Sequence, residues 1–196
     1  MEIARKIYYF LLDTVQTFLI AAAIFLVIYI TLFRPFEVQG ESMYPNFYNN
    51  EYVLTNLIGF ENLGFYQASF GKIDIGDVIV FNAPPAPDKD YIKRVIGLSG
   101  DTIMLKAGSV YRNGKLLNED KYLKSGIKTF PGSFLPENTP VKVPQNEFFV
   151  LGDNREYSSD SREWGFVKKS EIVGKSSFVY WPISRIRFIK NPYTQN

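Results

Sequence analysis

Residues 91–98 read YIKRVIGL, an apolar stretch that carries two adjacent bases, Lys93 and Arg94, at its centre. The aromatic and β-branched residues around the two bases predict a β-strand. Because successive side chains of a strand point to opposite faces of the sheet, Lys93 and Arg94 cannot face the same side. If both faces are even partly covered, at least one of the two bases loses its contact with water.

Short strand-like segments recur between turn signals throughout the chain after residue 33. The dipeptide Asn113-Gly114 separates two of them and predicts a tight hairpin, whereas residues 83–90, APPAPDKD, predict an exposed loop. The predicted strands are residues 36–39, 51–56, 77–82, 91–98, 102–106, 110–112, 116–117, 147–151 and 172–181. We see no long helical periodicity beyond residue 33. The sequence therefore predicts a mainly β domain with an antiparallel sheet.

The N-terminal part of the chain differs from the rest, because residues 14–33, TVQTFLIAAAIFLVIYITLF, contain no charge. At 1.5 Å per residue, a helix of this length covers about 30 Å, the thickness of the hydrocarbon core. We therefore predict one transmembrane helix, a short cytoplasmic N-terminus of residues 1–13 and an extracytoplasmic domain of residues 34–196. The bases Arg5 and Lys6 before the span, against Arg34 after it, favour this orientation.

Two other interpretations of residues 14–33 remain. A cleaved signal peptide needs a shorter apolar stretch followed by small residues, and here the small residues 21–23 lie in the middle. A buried core helix is the other alternative, and a run of 20 residues with apolar side chains on every face makes it less favoured. Both alternatives are less favoured than an anchor.

The composition excludes several kinds of chemistry. The 196 residues include no cysteine and no histidine, so a Ser-His-Asp triad, a Cys-His dyad and the usual zinc sites are impossible. With 22 Lys+Arg against 20 Asp+Glu, the chain is also not basic enough for a typical nucleic-acid-binding protein. Any catalysis must use serine, threonine, lysine, carboxylates or backbone groups.

Lys93 is a candidate general base. Arginine stays charged in a protein, but a buried lysine can lose its proton. Lowering a lysine pKa to about 7 or 8 corresponds to roughly 3 to 5 kcal/mol, which burial can supply. The alternative is that both bases of the strand extend to solvent or form ion pairs at a sheet edge.

Ser42 is the candidate nucleophile that stands nearest to the predicted membrane span. It lies in VQGESMYP, residues 38–45, where a glycine and a proline surround it. A turn of this composition can present a hydroxyl and a backbone N–H together. The alternative is an ordinary turn serine.

A third polar segment, GDNREYSSDSREWG at residues 152–165, follows an apolar strand. Its carboxylates and amides raise the possibility of a calcium loop, but Arg155 and Tyr157 interrupt the regular acidic spacing of an EF-hand. A hydrogen-bonded scaffold of Asp/Arg pairs fits the composition better.

Taken together, these segments resemble the ordered sequence boxes of bacterial type I signal peptidase. The matching segments are SMYP at 42–45, GDVIVF at 76–81, YIKRVIGLSGD at 91–101 and GDNREYSSDSREWG at 152–165. The resemblance extends from the predicted anchor to Val167. It implies a membrane-anchored serine endopeptidase that cleaves signal peptides from exported preproteins after small residues. It also implies an antiparallel β fold with a small inserted subdomain, residues 102–149, and no cofactor or metal.

The same resemblance assigns roles to individual residues. It implies that Ser42 is the nucleophile, Lys93 the general base and Ser158 the hydroxyl that orients the lysine amine. It also implies that structural side chains and pocket walls surround them. The structural residues are Arg94 paired with Asp153, together with Asp160 and Arg162; the pocket walls are Phe36, Val38, Met43, Tyr91 and Ile92.

Two positions depart from the family pattern. Gly40 stands where many relatives have a serine that helps to bind the oxyanion, so the Ser42 backbone N–H, with an amide near Gly40, must serve instead. Asn46 stands where the pattern has threonine, which affects the expected local geometry but not the dyad.

Other interpretations of the chain stay open. Phe60, Phe65, Tyr66 and Phe70 could enter the membrane interface, with core packing as the equal alternative. The whole domain could be a catalytically silent β module that binds partners. A self-cleaving protease of the repressor type is a further alternative, although it normally carries a DNA-binding domain.

Overall fold

The computed structural model describes residues 2–57 and 72–194. Contacts divide the chain into two compact units, Met1–Arg34 and Pro35–Asn196. The first is built on one long helix and the second carries the β-sheets. Phe60, Phe65, Tyr66 and Phe70, the aromatic residues considered above for the membrane interface, lie outside the described residues.

Helix α1 spans Glu2–Leu32 and begins earlier than the predicted span of residues 14–33. Residues 2–13 contain no glycine or proline, so nothing in them prevents the helix from continuing to Glu2. Over Glu2–Val27 the helix is long and apolar enough to cross a membrane, with a mean hydropathy of 2.1 and 0% of this window buried. A buried core helix is therefore excluded for this segment.

The unit Pro35–Asn196 contains several short helical turns and the strands, except that β1 begins two residues before it, at Phe33. In chain order its elements are β1 Phe33–Glu37, β2 Tyr52–Leu57, β3 Val78–Ala83, β4 Ala86–Gly97, β5 Thr102–Lys106, β6 Ser109–Arg112, β7 Lys115–Leu116, β8 Val141–Lys142, β9 Glu147–Leu151, α2 Ser161–Trp164, β10 Val167–Lys168, β11 Ile172–Trp181 and β12 Arg187–Phe188, with 3₁₀ turns at Lys169–Glu171 and Ile183–Arg185.

The larger sheet among the described residues has the order β1–β2–β11–β3–β4–β9–β10, with β12 also paired to β11. The pairings from β2 to β10 and the pairing of β12 with β11 are antiparallel. The mainly β, antiparallel fold class predicted from the sequence is thus confirmed. Strand β4 lies between β3 and β9, so residues near its C-terminal end are covered on both edges.

A second sheet, in the order β7–β6–β5–β8, is formed by the chain between β4 and β9. The predicted hairpin at Asn113-Gly114 is confirmed, with φ of 53° and 76° at the two turn residues. The predicted insert of residues 102–149 differs at its end, because Glu147–Leu151 is strand β9 of the larger sheet. The second sheet also shares a core with the first, since Ile103 and Leu105 pack in one cluster with Ile96 and Phe149.

The predicted loop at residues 83–90 is wrong, because β4 already begins at Ala86 and pairs with β3 there. A tight turn between Ala83 and Ala86 joins the two strands. The first half of β4 pairs only with β3, since the described contacts with β9 begin at Arg94. Proline is tolerated on such a free edge, where its missing N–H removes no ladder hydrogen bond.

Candidate active site

Strand β4 supplies both bases predicted from the sequence. Its register places Lys93 opposite Ile79 of β3, and Arg94 opposite Val78 of β3 and Leu151 of β9. Lys93 is 3% exposed and Arg94 is 4% exposed, so both residues are buried. The alternative in which the two side chains extend to solvent is therefore wrong.

The amine of Lys93 lies against the hydroxyl of Ser42. Lys93 Nζ donates hydrogen bonds to Ser42 Oγ at 2.8 Å and to the Ile92 carbonyl oxygen at 2.9 Å. Burial lowers the pKa of Lys93 from its ordinary value of 10.5 to about 8, although the charges of Asp160 and Asp153 partly oppose the shift. The amine can therefore lose its proton near neutral pH, and its lone pair then faces a hydroxyl.

Ser42 lies in a compact turn, residues 40–47, which we call the nucleophile turn. Within it, Tyr44 N donates to the Glu41 carbonyl at 3.0 Å and Phe47 N to the Met43 carbonyl at 2.9 Å. From outside, Asn154 N donates to the Ser42 carbonyl oxygen at 3.0 Å. Asn154 Nδ2 also donates to the Glu41 carbonyl at 3.0 Å. One asparagine thus holds two successive carbonyl groups of the turn.

Arg94 and Asp153 form the ion pair expected from the resemblance. Arg94 Nε and Nη2 donate to the two carboxylate oxygens of Asp153 at 2.8 and 2.6 Å, and Nη1 donates to the Gly76 carbonyl. The ring of Tyr122 lies 4.4 Å from the guanidinium carbon. Burial opposes the charge of Arg94, but Asp153 outweighs it and raises the pKa of Arg94. Arg94 is therefore a fixed positive charge in the residue next to Lys93.

Asp160 and Arg162 form the second predicted pair. Arg162 Nε donates to Asp160 Oδ1 at 2.8 Å and Nη2 donates to Oδ2 at 2.9 Å. Asp160 also accepts from the Gly152 N–H at 3.0 Å and caps helix α2. The Asp/Arg scaffold predicted for residues 152–165 is therefore present, and Asp160 contributes negative charge near Lys93.

Ser158 does not make the hydrogen bond to Lys93 that the resemblance implies. Its Oγ is buried and has no hydrogen-bond partner within residues 2–57 and 72–194. The lysine amine is directed instead at Ser42 Oγ and the Ile92 carbonyl. Ser158 is nevertheless adjacent to the site, because its side chain packs over Gly152, and a Cβ on Gly152 would also lie 2.5 Å from the Ser42 carbonyl oxygen.

The expected oxyanion donors are only partly present. Gly40 N–H donates to Asn49 Oδ1 at 2.7 Å, so this amide already has an acceptor in the structure, and its role as an oxyanion donor stays a prediction. The backbone there has φ of +83°, which favours glycine. Ser42 N–H has no hydrogen-bond acceptor among the described residues, so it remains available to an oxyanion.

A cleft of ≈ 640 Å³ opens over Ser42 and Lys93. Phe36 and Val38 line it from β1 and the residue after β1, and Tyr91 and Ile92 line it from β4, as predicted. Met43 does not line it: only 1% of Met43 is exposed, and it packs with Val38 in the core cluster beneath the nucleophile turn. The prediction for Met43 is therefore wrong.

Several residues of the site had no assigned role in the sequence. Tyr157, which is 72% exposed, and Ser159 line the cleft. Asn154 holds the nucleophile turn, and Asn46 contacts Asp153. Asn154 belongs to a recognised segment and Asn46 was visible as a departure from the family pattern. Nothing in the sequence pointed to Tyr157 as part of the cleft.

A family model described as "Signal peptidase, peptidase S26" matches residues 11–181 of the chain. Signal peptidase IB of Staphylococcus aureus (strain MRSA252) is 34% identical over 193 residues, which cover 93% of this chain and 95% of that protein. Signal peptidase I S of Bacillus subtilis (strain 168) is 37% identical over 182 residues, covering 90% of this chain and 92% of that protein.

The crystal structure of a signal peptidase I from Enterococcus faecalis V583 is also similar. It is 31% identical and has a TM-score of 0.46; the match covers 55% of this chain and 98% of that chain.

Proposed function

Because the chain belongs to the signal peptidase family, peptidase S26, and is thus a serine endopeptidase, we propose that it cleaves N-terminal signal peptides from exported preproteins after small residues. We propose further that Ser42 and Lys93 form its catalytic dyad. The observation that carries this proposal is the 2.8 Å hydrogen bond between Lys93 Nζ and Ser42 Oγ in a buried setting that lowers the lysine pKa.

In the proposed reaction, neutral Lys93 accepts the proton of Ser42 as Oγ attacks the carbonyl carbon of the scissile peptide bond. The Ser42 N–H donates to the oxyanion that forms. Protonated Lys93 then gives its proton to the leaving amine as the C–N bond breaks and an ester on Ser42 remains. Lys93 next takes a proton from water, which hydrolyses the ester and regenerates both side chains.

Ser158 retains a proposed role as the residue that orients the amine. Among the residues that the structure describes, its buried hydroxyl has no partner. A buried polar group without one costs free energy, so a lysine amine that turns toward it would gain a hydrogen bond. The walls at Phe36, Val38, Tyr91 and Ile92 would accept small side chains before the cleaved bond and exclude larger ones.

Helix α1 supplies the proposed anchor. We propose that it crosses the cell membrane once with the N-terminus in the cytoplasm and the catalytic domain outside. The apolar span supports this placement, as does the charge difference between Arg5 with Lys6 and Arg34. The enzyme would then stand beside signal peptides that are still in the bilayer, which raises their local concentration.

The decisive experiment is cleavage of a preprotein with an Ala-x-Ala site in liposomes by the wild type, Ser42→Ala and Lys93→Ala. We expect the wild type to cut after the small residue and both variants to be inactive while folded. The wild-type rate should fall as the pH drops below about 8, because Lys93 then becomes protonated.

A pH-independent rate would contradict a lysine base. An intact preprotein with a folded wild type, or equal cutting by the variants, would favour the catalytically silent β module instead.

A further inference from the structure

Asn46 is fixed in the structure by both its side chain and its backbone. Its side-chain Nδ2 donates to Asp153 Oδ2 and to the Tyr122 carbonyl oxygen, each at 2.8 Å. Its backbone N–H donates to the Met43 carbonyl at 3.0 Å, and its carbonyl accepts from Arg187 Nη2. Asn46 is therefore the point at which the C-terminal end of the nucleophile turn attaches to the rest of the domain.

Asp153 links the turn that carries Ser42 to the strand that carries Lys93. Its carboxylate is buried and binds Arg94, the residue that follows Lys93 on β4. The same carboxylate accepts from Asn46, in the turn that carries Ser42. The next residue, Asn154, donates its N–H to the Ser42 carbonyl. With the bond from Asn154 Nδ2 to the Glu41 carbonyl, the segment 153–154 makes three hydrogen bonds to the turn and also binds Arg94 of the base-bearing strand.

We propose that Asn46 is a positioning residue that sets the separation of Ser42 Oγ and Lys93 Nζ through Asp153. This inference rests on the proposed function of the dyad. Without the amide, the turn keeps its attachment at Asn154 but loses the one at Asp153, and Ser42 can move relative to β4. A displacement of about 1 Å at a reacting group can lower a rate roughly a hundredfold.

The amide also acts on the charge around the base. The charged groups that face Lys93 are Asp160 and Asp153, with Arg94 next to it in sequence and the Tyr91 ring 5.1 Å from Nζ. Asn46 donates to Asp153 and so offsets part of its negative charge. Removing that donor leaves more negative charge on Asp153. The pKa of Lys93 should therefore rise above its wild-type value of about 8.

The test compares the full-length wild type with Asn46→Ala, Asn46→Thr and the control Asn191→Ala. Asn191 is a matched control because its amide also donates to one carboxylate, Asp77, at 2.7 Å and to one carbonyl, that of Ile75, at 2.8 Å.

We expect Asn46→Ala to lower kcat about ten- to a hundredfold while KM changes less than about twofold. Its acidic pH limb should move to higher pH. Asn46→Thr, which keeps a donor, should recover part of kcat, and Asn191→Ala should retain the wild-type values.

A second measurement does not depend on cleavage. The pKa of Lys93 is followed by NMR of its labelled amine in the wild type and Asn46→Ala, with the resonance assigned by its absence in Lys93→Ala. An unchanged kcat and an unchanged lysine pKa in Asn46→Ala would overturn the inference, as would equal losses of kcat in Asn46→Ala and Asn191→Ala. If the wild type cuts no preprotein, the proposed function fails, and an unchanged lysine pKa in Asn46→Ala then overturns the inference about Asn46 as well.

Discussion

At the scale of single residues, the burial of Lys93 makes its positive charge unfavourable. Its pKa in the folded protein, about 8, lies below the ordinary value of 10.5. The unfolded chain therefore binds the proton more tightly, and burial destabilises the folded protein most below pH 8. The penalty fades as the pH rises from about 8 to about 10.5.

Lys93→Met should therefore increase the free energy of unfolding by about 3 kcal/mol at neutral pH while abolishing activity. The increase should shrink as the pH approaches 10.5, the ordinary lysine value. Urea unfolding in detergent at several pH values measures it, with the exposed Lys106→Met as the control. A gain that is independent of pH would mean that packing, and not lost charge, stabilises the variant.

The sequence predicted some of these residues better than others. The opposite faces of Lys93 and Arg94 follow from strand alternation, which required at least one base to be buried; the structure buries both. The partner of Gly40 N–H could not be predicted, because the Asn49 side chain reaches it only after the nucleophile turn has folded. The Ser158 rotamer and the burial of Met43 likewise depend on packing across the fold, which no local pattern contains.

At the scale of elements, the junction after β9 brings the nucleophile turn and Ser158 together at Gly152. A Cβ on this residue would collide with the Ser158 side chain and lie 2.5 Å from the Ser42 carbonyl oxygen. We expect Gly152→Ala to displace the nucleophile turn and to cost more than about 2 kcal/mol of unfolding free energy. Cleavage rate and thermal unfolding measure the two effects.

Gly126→Ala provides the comparison for this substitution. Gly126 is exposed, has φ of +86° and has nothing within 4 Å of the added Cβ. It should cost about 1 kcal/mol through backbone strain alone and leave the rate unchanged. If the two variants lose activity equally, the close approach at Gly152 has no special importance for the dyad.

The longer strands were predictable because each contains its own apolar pattern. The bounds of β5, β9 and β11 agree with the predicted residues. The strands β8, β10 and β12 have only two residues each, too few to show an apolar pattern in the sequence. Each is defined by its hydrogen bonds to a longer neighbouring strand. The first half of β4 was missed for a similar reason, since its prolines indicate a loop unless the edge is known to be free.

At the scale of the whole molecule, the contacts separate the helix unit from Pro35–Asn196. A protein made of residues 35–196 should therefore fold and cleave a soluble peptide with an Ala-x-Ala site at nearly the rate of the full chain. On preproteins in liposomes it should be slower, because it lacks the anchor that concentrates it at the bilayer. If the protein of residues 35–196 and the full chain had equal rates on each substrate, α1 would contribute nothing to substrate capture.

The chain-wide organisation was predictable in outline. A charge-free stretch of membrane length indicates an anchor, and recurring short strands indicate a β domain. The inserted sheet was bounded less well, because its core continues into the larger sheet through Ile96 and Phe149. A boundary that lies within a shared core leaves no change of composition in the sequence.

Lys93 lines the open cleft, although only 3% of the residue is exposed. With a pKa of about 8, only about one amine in ten is neutral at pH 7. A peptide that fills the cleft should complete the burial of Lys93 and so increase the neutral fraction of its amine. Substrate binding would then itself prepare the amine for the proposed proton transfer from Ser42.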